Sequence, residues 1–182
     1  MKTRNIVRLL VMGIVFGCTS LQGAPSSAEN KQSQKKPVRV YIDMVGDLFH
    51  VGHIQAIKKA RVFGDYLIVG VCGDEECTSY KRLPILTLEE RVAEVQACRY
   101  VDEVITDAPV AITDQFINKH KIDIVVHGDD FDQEKMRKYY GAAMDRGILR
   151  IVPYTKGIST SDIIRRILLR STELSSQFLA KK

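Results

Sequence analysis

Asp47-Leu48-Phe49-His50-Val51-Gly52-His53 stands between an apolar run, Val38 to Ile42, and a helix-like segment, Ile54 to Phe63, and its reading decides the fold. A strand that stops and a helix that starts within a few residues leave unpaired backbone N–H groups and a positive dipole end facing outward, which is an anion site. Two imidazoles flanking Gly52 direct that site toward phosphate chemistry. Gly52 permits close backbone approach of a phosphate, while His50 and His53 reach it from the loop and the first turn.

Outward from this stretch the chain alternates. Apolar runs at Val38 to Ile42, Tyr66 to Cys72, Val101 to Ile105, Ile122 to Val126 and Leu149 to Val152 are short and β-branched-rich, as expected of strands buried on both faces. Between and after them lie helix candidates at Ile54 to Phe63, Leu88 to Ala97, Asp114 to His120, Gln133 to Arg146 and Thr160 to Leu169. Thr87 with Glu90 makes a capping box, and Thr113 and Ser159 or Thr160 mark further helix starts. The expectation is an α/β fold with a doubly wound, parallel, five-stranded, Rossmann-like sheet, one domain over residues 37–170 and a short tail over 171–182.

Ligands of such sheets bind beyond the carboxyl ends of the strands, where the strand order reverses. That rule gathers Asp43 to His50, the segment from Gly73 to Lys81, His127-Gly128-Asp129-Asp130 and Lys156-Gly157-Ile158-Ser159-Thr160-Ser161 at one edge. Gly157 with Ser159 and Thr160 opens a second helix and offers hydroxyls and free N–H groups to a second phosphate cluster. Lys81 supplies a mobile point charge for a phosphate that must come and go. Two anion sites and a lysine favour nucleotidyl or phosphoryl transfer. Neither a G-x-x-x-x-G-K-S/T loop nor a G-x-G-x-x-G turn is present, so the kinase and dinucleotide readings lack their markers.

The formal charge of +5 comes from the first 36 residues, which hold six Lys or Arg against Glu29; the remainder is balanced. No basic face with interleaved aromatics is left for nucleic acid. Lys2, Arg4 and Arg8 ahead of Leu9 to Phe16, with Gly17-Cys18 following, read as a targeting segment and linker over residues 1–36. This is an export signal or, with Cys18 lipidated, a lipoprotein-like membrane tether. Cys72, Cys77 and Cys98 form no disulfide framework and no zinc spacing, so they read as small buried hydrophobes. Localisation is thus pulled two ways, toward export by the leader and toward the cytoplasm by the reduced cysteines.

His50-Val51-Gly52-His53 together with Lys156-Gly157-Ile158-Ser159-Thr160-Ser161 resembles the paired H-x-G-H and R-T-E-G-I-S-T motifs of the cytidylyltransferase family. Tyr66 to Val71, Glu90-Arg91 and Arg99-Tyr100-Val101-Asp102-Glu103-Val104 are also similar to segments of the enzymes that make CDP-choline, CDP-ethanolamine and CDP-glycerol. The resemblance implies direct in-line displacement, in which the phosphate of a small phosphoalcohol attacks the α-phosphate of CTP and pyrophosphate leaves with Mg²⁺. It implies catalytic roles for His50 and His53 at the α- and β-phosphates and for Lys81 between nucleotide and acceptor. It implies nucleotide contacts from Gly46, Asp47, Gly52, His127, Gly128, Thr155, Lys156, Gly157, Ile158, Ser159 and Thr160, no protein metal ligands, and a homodimer with Asp102 and Glu103 near the contact.

The chain departs from that pattern twice. Met44-Val45-Gly46-Asp47 stands where the family has G-x-F-D, and Tyr154 takes the place of the arginine of R-T-E-G. Lys156 is expected to substitute in part for that arginine, with weaker CTP affinity, because an ammonium cannot reproduce a bidentate guanidinium clamp. A choline headgroup wants an aromatic cage, yet the chain has no tryptophan and carries Val110 where the choline enzymes resemble one another in having Trp. Phosphoethanolamine therefore leads, with Asp129 or Asp130 expected to receive its ammonium, and glycerol 3-phosphate stays open. The alternatives are a nucleotide-binding, membrane-tethered homologue with weak or no turnover, and an adenylyltransferase.

Overall fold

β1 (Arg39–Met44) is the central strand, and its Val40, Tyr41 and Ile42 are all buried, as a strand covered on both faces requires. The computed structural model describes residues 36–179, so the leader, including Cys18, lies outside the described residues except for Lys36. β2 (Tyr66–Cys72), β3 (Glu103–Ala108), β4 (Ile124–Gly128) and β5 (Leu149–Val152) complete a wholly parallel sheet in the order β3-β2-β1-β4-β5. The order reverses at β1 and β4, where Val40 lies between Leu67 of β2 and Ile124 of β4. The fold is α/β and Rossmann-like, as the alternation of runs predicts.

Strand pleating sends alternate side chains to two cores. Val40, Ile42, Leu67, Val69, Val71 and Val126 pack with Ile57 and Ala60 of α1 (Val51–Arg61) and Val95 of α3 (Leu88–Gln96). Tyr41, Ile68 and Val125 pack with Ile117 of α4 (Asp114–His120) and Met136, Tyr140 and Ala143 of α5 (Gln133–Asp145).

Several boundaries differ from the sequence expectation for identifiable reasons. β3 starts at Glu103 because Asp102 is occupied elsewhere: its Oδ2 accepts the Leu67 N–H and pairs with Arg61. Glu103 pairs with Arg39 at 2.8 Å, so both acids make contacts within the chain. β4 starts at Ile124 because the Ile122 N–H closes the end of α4 on the Ile117 carbonyl, after Lys121 turns left-handed at φ 52°. α2 (Asp74–Tyr80) has no apolar periodicity to announce it; its first turn is acidic, as suits the dipole, and of its described side chains Cys77 alone is buried. After α6 (Thr160–Leu169) the expected tail is a further helix, α7 (Ser171–Leu179). Cys72 and Cys77 are buried and Cys98 half-buried, all three unbridged. Among the described residues no helix is long and apolar enough to cross a membrane.

Candidate functional site

A cavity of about 530 Å³ opens at the carboxyl edge of the sheet, between the ends of β1 and β4 and under the starts of α1 and α6. α1 begins at Val51, so His50 is its N-cap and His53 closes its first turn. The Gly52 N–H donates to His50 Nδ1 at 3.0 Å, and the His50 N–H donates to His53 Nδ1 at 3.2 Å. The histidines are therefore a reciprocal cap as well as cavity residues. With Nδ1 accepting, each neutral ring carries its proton on Nε2, leaving two N–H donors for a ligand. The rings stack at 3.9 Å between centroids, and Phe49 stacks on His53 at 5.4 Å. Burial lowers both pKa values, that of His53 to about 4 with help from the charge of His50, so both rings are neutral at pH 7.

Gly52 is dictated by this packing. A Cβ there would lie 2.8 Å from the His50 ring and 3.4 Å from Ile158 Cγ2, so the glycine also lets the second motif close on the first. The displaced Gly46 adopts φ 74° and Leu48 adopts φ 48°, so the chain turns sharply twice before the N-cap. A branched residue in that region costs roughly 1–2 kcal/mol, held by the surrounding contacts.

Those contacts belong to Asp47. Only 3% exposed, its carboxylate accepts the Ile85 and Leu86 N–H groups at 2.9 and 3.0 Å and pairs with Arg82 at 2.8 Å. Its carbonyl accepts the Thr160 hydroxyl at 2.9 Å. Burial pushes the carboxyl up, but the two N–H donors and the guanidinium outweigh it and leave the pKa below the ordinary value. Asp47 thus pins the loop that carries Lys81 to the start of α6. Lys81 ends α2 on the cavity wall, and its charge bears on both Asp43 and His53.

α6 starts differently. Ser159 is its N-cap, with its oxygen accepting the Asp162 N–H at 3.1 Å and its hydroxyl donating to Asp162 Oδ2 at 2.7 Å. Gly157, at φ 92°, turns the chain into the cap. Upstream, Lys59 of α1 donates to the Pro153 carbonyl at 2.5 Å and to Thr155 Oγ1 at 3.2 Å, and the Tyr154 N–H donates to Asp129 Oδ1 at 2.7 Å.

Asp43, the penultimate residue of β1, also lines the cavity and accepts the Tyr140 hydroxyl at 2.7 Å. Burial raises its pKa, opposed by His127 and by the Tyr140 hydrogen bond. The His127 ring lies 4.6 Å from Tyr140 and 4.5 Å from Phe131, with Nδ1 2.9 Å from the Gly128 carbonyl. A carbonyl can only accept, so His127 holds its proton on Nδ1. Val110 and Met44 supply apolar wall.

Of the residues expected from the sequence, Asp47, His50, Gly52, His53, Lys81, His127, Gly128, Asp130, Thr155, Ile158, Ser159 and Thr160 all line this cavity. Gly46, Asp129, Lys156 and Gly157 lie behind or beside it: Gly46 is buried against Val95, Asp129 braces Tyr154, and Lys156 and Gly157 are exposed. The strand-end rule reaches Asp43 without giving it a role, and Tyr140 escapes sequence reasoning. An acid ending an apolar strand was the available signal for Asp43, while Tyr140 reads as ordinary core. Among the described residues no three His, Cys, Asp or Glu side chains gather as a metal-ion set.

The cytidylyltransferase-like family profile matches residues 46–166, from the turn before the histidines into α6. The chain belongs to this family. Among cytidylyltransferases it is 42% identical over 147 residues to the ethanolamine-phosphate cytidylyltransferase of Arabidopsis thaliana, covering 78% of this chain and 35% of that protein. It is 43% identical over 137 residues to choline-phosphate cytidylyltransferase A of Mus musculus, covering 74% and 37%. The chain thus spans little more than a third of the length of these relatives. Among solved structures, the lipopolysaccharide core biosynthesis protein of Thermoplasma volcanium superposes with a TM-score of 0.55 at 27% identity, over 68% of this chain and all of that one.

Proposed function

We propose that the protein transfers the cytidylyl group of CTP to phosphoethanolamine, giving CDP-ethanolamine and pyrophosphate. The observation that carries the acceptor is the half-buried Asp43, a carboxylate that lines the cavity and accepts the Tyr140 hydroxyl. A carboxylate held by a tyrosine hydroxyl under apolar walls suits a primary ammonium, which donates hydrogen bonds; a quaternary ammonium cannot, and prefers an aromatic cage. Asp43 takes the place in this reading first expected for Asp129, which is committed to Tyr154; Asp130, on the cavity wall, is a second carboxylate for the same headgroup.

In the reaction an oxygen of the acceptor phosphate bonds to the α-phosphorus of CTP as the bond from that phosphorus to the bridging oxygen breaks, and pyrophosphate takes the electron pair. The two Nε2–H groups donate to charge developing on the α- and β-phosphates, and their neutral state suits donation without a trapped positive charge. Lys81 holds the acceptor phosphate near the nucleotide. The α6 start, with Ser159 and Thr160, holds the β- and γ-phosphates, and His127 with Gly128 borders the base. Mg²⁺ would neutralise triphosphate charge and would be carried by the nucleotide's own phosphates, since the Asp47 carboxylate is already engaged by Arg82 and two backbone N–H groups. A homodimer and a membrane tether through the N-terminal segment complete the reading, checked by light scattering and membrane fractionation.

Pyrophosphate release with CTP and Mg²⁺ is measured against phosphoethanolamine, phosphocholine and glycerol 3-phosphate. Turnover is expected to be best with phosphoethanolamine and lost when ATP replaces CTP, and Asp43→Asn is expected to raise the phosphoethanolamine KM about tenfold or more. Preference for ATP, or CTP binding without release for any acceptor, sinks the proposal.

A further inference from the structure

Lys59 is the one charged side chain of α1 that reaches the loop between β5 and α6. It sits more than two turns along a helix whose start holds the histidines, and its ammonium donates to Pro153 and Thr155, which line the cavity on either side of Tyr154. Besides the Thr160 hydroxyl on the Asp47 carbonyl, the two helix starts that face the cavity are therefore tied twice more. Near the cavity, Gly52 lies against Ile158; behind it, Lys59 grips the loop from below. Asp129 holds the same loop from the β4 side through the Tyr154 N–H. Beyond these grips the chain has little support of its own: Lys156 and Gly157 are exposed, and a Cβ built on Gly157 would meet nothing within 4 Å.

We infer that Lys59 is the positioning residue for the pyrophosphate end of the nucleotide, the part expected from the sequence of Lys156. Resting on the CTP reading above, this assigns to Lys59 two effects. It fixes the height of the loop, and so aims the free N–H groups of the α6 start at the anion that the histidines hold from the other side. It also places an ammonium against Thr155, where partly screened attraction would add to the hold on a triphosphate. Lys156 is exposed and lies outside the cavity wall. Because the loop is held before the nucleotide arrives, the benefit applies equally to bound CTP and to the transition state, which sets KM and leaves kcat nearly untouched.

The test uses the full chain with Lys59→Met, which keeps the stem and the helix, and Lys59→Arg, which keeps the charge. Amide exchange in the nucleotide-free protein is expected to accelerate across residues 157–160 in Lys59→Met and to stay near the parent in Lys59→Arg. This readout needs neither CTP nor turnover, so the tether is tested even if the proposed reaction fails. In steady state and by calorimetry, Lys59→Met is expected to weaken CTP about tenfold with kcat within twofold and the acceptor KM unchanged, and Lys59→Arg to recover most of the loss. Unchanged exchange and CTP affinity within twofold of the parent overturn the inference. So does an equal loss toward CTP and acceptor with a lowered Tm, which is general destabilisation. Lys156→Ala serves as the counterpart: a larger loss of CTP affinity there than in Lys59→Met returns the role to Lys156.

Discussion

Two helix starts face the same cavity and are built on opposite plans. The start of α1 is capped by its own functional groups: the imidazoles accept the backbone N–H groups and stack on each other, Phe49 stacks on His53, and Gly52 lies against Ile158. The start of α6 is capped by a serine, follows an exposed glycine turn and takes its position from side chains elsewhere in the chain. The first is rigid because moving a histidine breaks a cap. The second can adjust, since its cap and its ligand-facing groups are not the same atoms throughout. This division suits the proposed reaction, in which one phosphate is transferred and two must leave.

The contrast is broken most severely at the rigid side. His53→Ala removes a donor and half of the cap, and kcat for pyrophosphate release is expected to fall about 10²–10³-fold; a loss below tenfold means that the imidazole is structural. Next comes the pin between the two starts. Asp47→Asn loses the charge that holds Arg82, at an expected cost of about 1–3 kcal/mol in urea unfolding. The parent's Asp47 contribution is present above the ordinary carboxylate pKa of about 3.9 and fades as pH falls through the lower folded value. Acid unfolding followed by circular dichroism should therefore be shallower in Asp47→Asn.

The amount of this site legible in the sequence follows the distance over which its parts are joined. His50, Gly52, His53, Gly157, Ser159 and Thr160 stand at local spacings that only a helix start explains, and the cavity contains or adjoins all of them. Asp43 and Tyr140 meet across 97 residues, and Lys59 and Thr155 across 96, through contacts that no local pattern encodes. Asp129 and Asp130 show the limit of neighbouring positions: one faces the Tyr154 N–H and the other the cavity, and the sequence does not say which way each turns. In the fold, the apolar runs marked every strand, while α2 stayed hidden because a polar helix with one buried cysteine among its described side chains has no period to read.

The smaller predictions sharpen the same contrast. His53 has a folded pKa of about 4 against about 6.5 when unfolded. The unfolded chain binds the extra proton between those values, so stability should fall as pH drops from about 6.5 to about 4. His53→Asn should remove that component from the pH dependence of Tm; an unchanged slope places the proton elsewhere. On the adjustable side, Ser159→Ala loses one helix cap, about 1 kcal/mol by denaturant titration, with kcat nearly preserved. A loss as large as that of His53→Ala means that the two starts share one plan after all.

Arg91 of α3 is fully buried, and its guanidinium donates to the Val45 carbonyl at 2.5 Å, to the Cys72 carbonyl at 2.8 Å and to Asp74 at 2.5 Å. One planar fork thus ties the turn before the histidines to the end of β2 and the start of α2, a geometry that a lysine's point donor does not reproduce. On the ribosome, where chains emerge from the N-terminus at roughly 5–20 residues per second, β1, α1 and β2 precede this residue by seconds. Until Arg91 arrives, the carbonyls at Val45 and Cys72 lack their shared donor, so the turn that aims the histidines matures only after α3 docks. The order of synthesis thus places the anchor of the histidine turn later in the chain than the turn itself, on a residue outside the cavity lining.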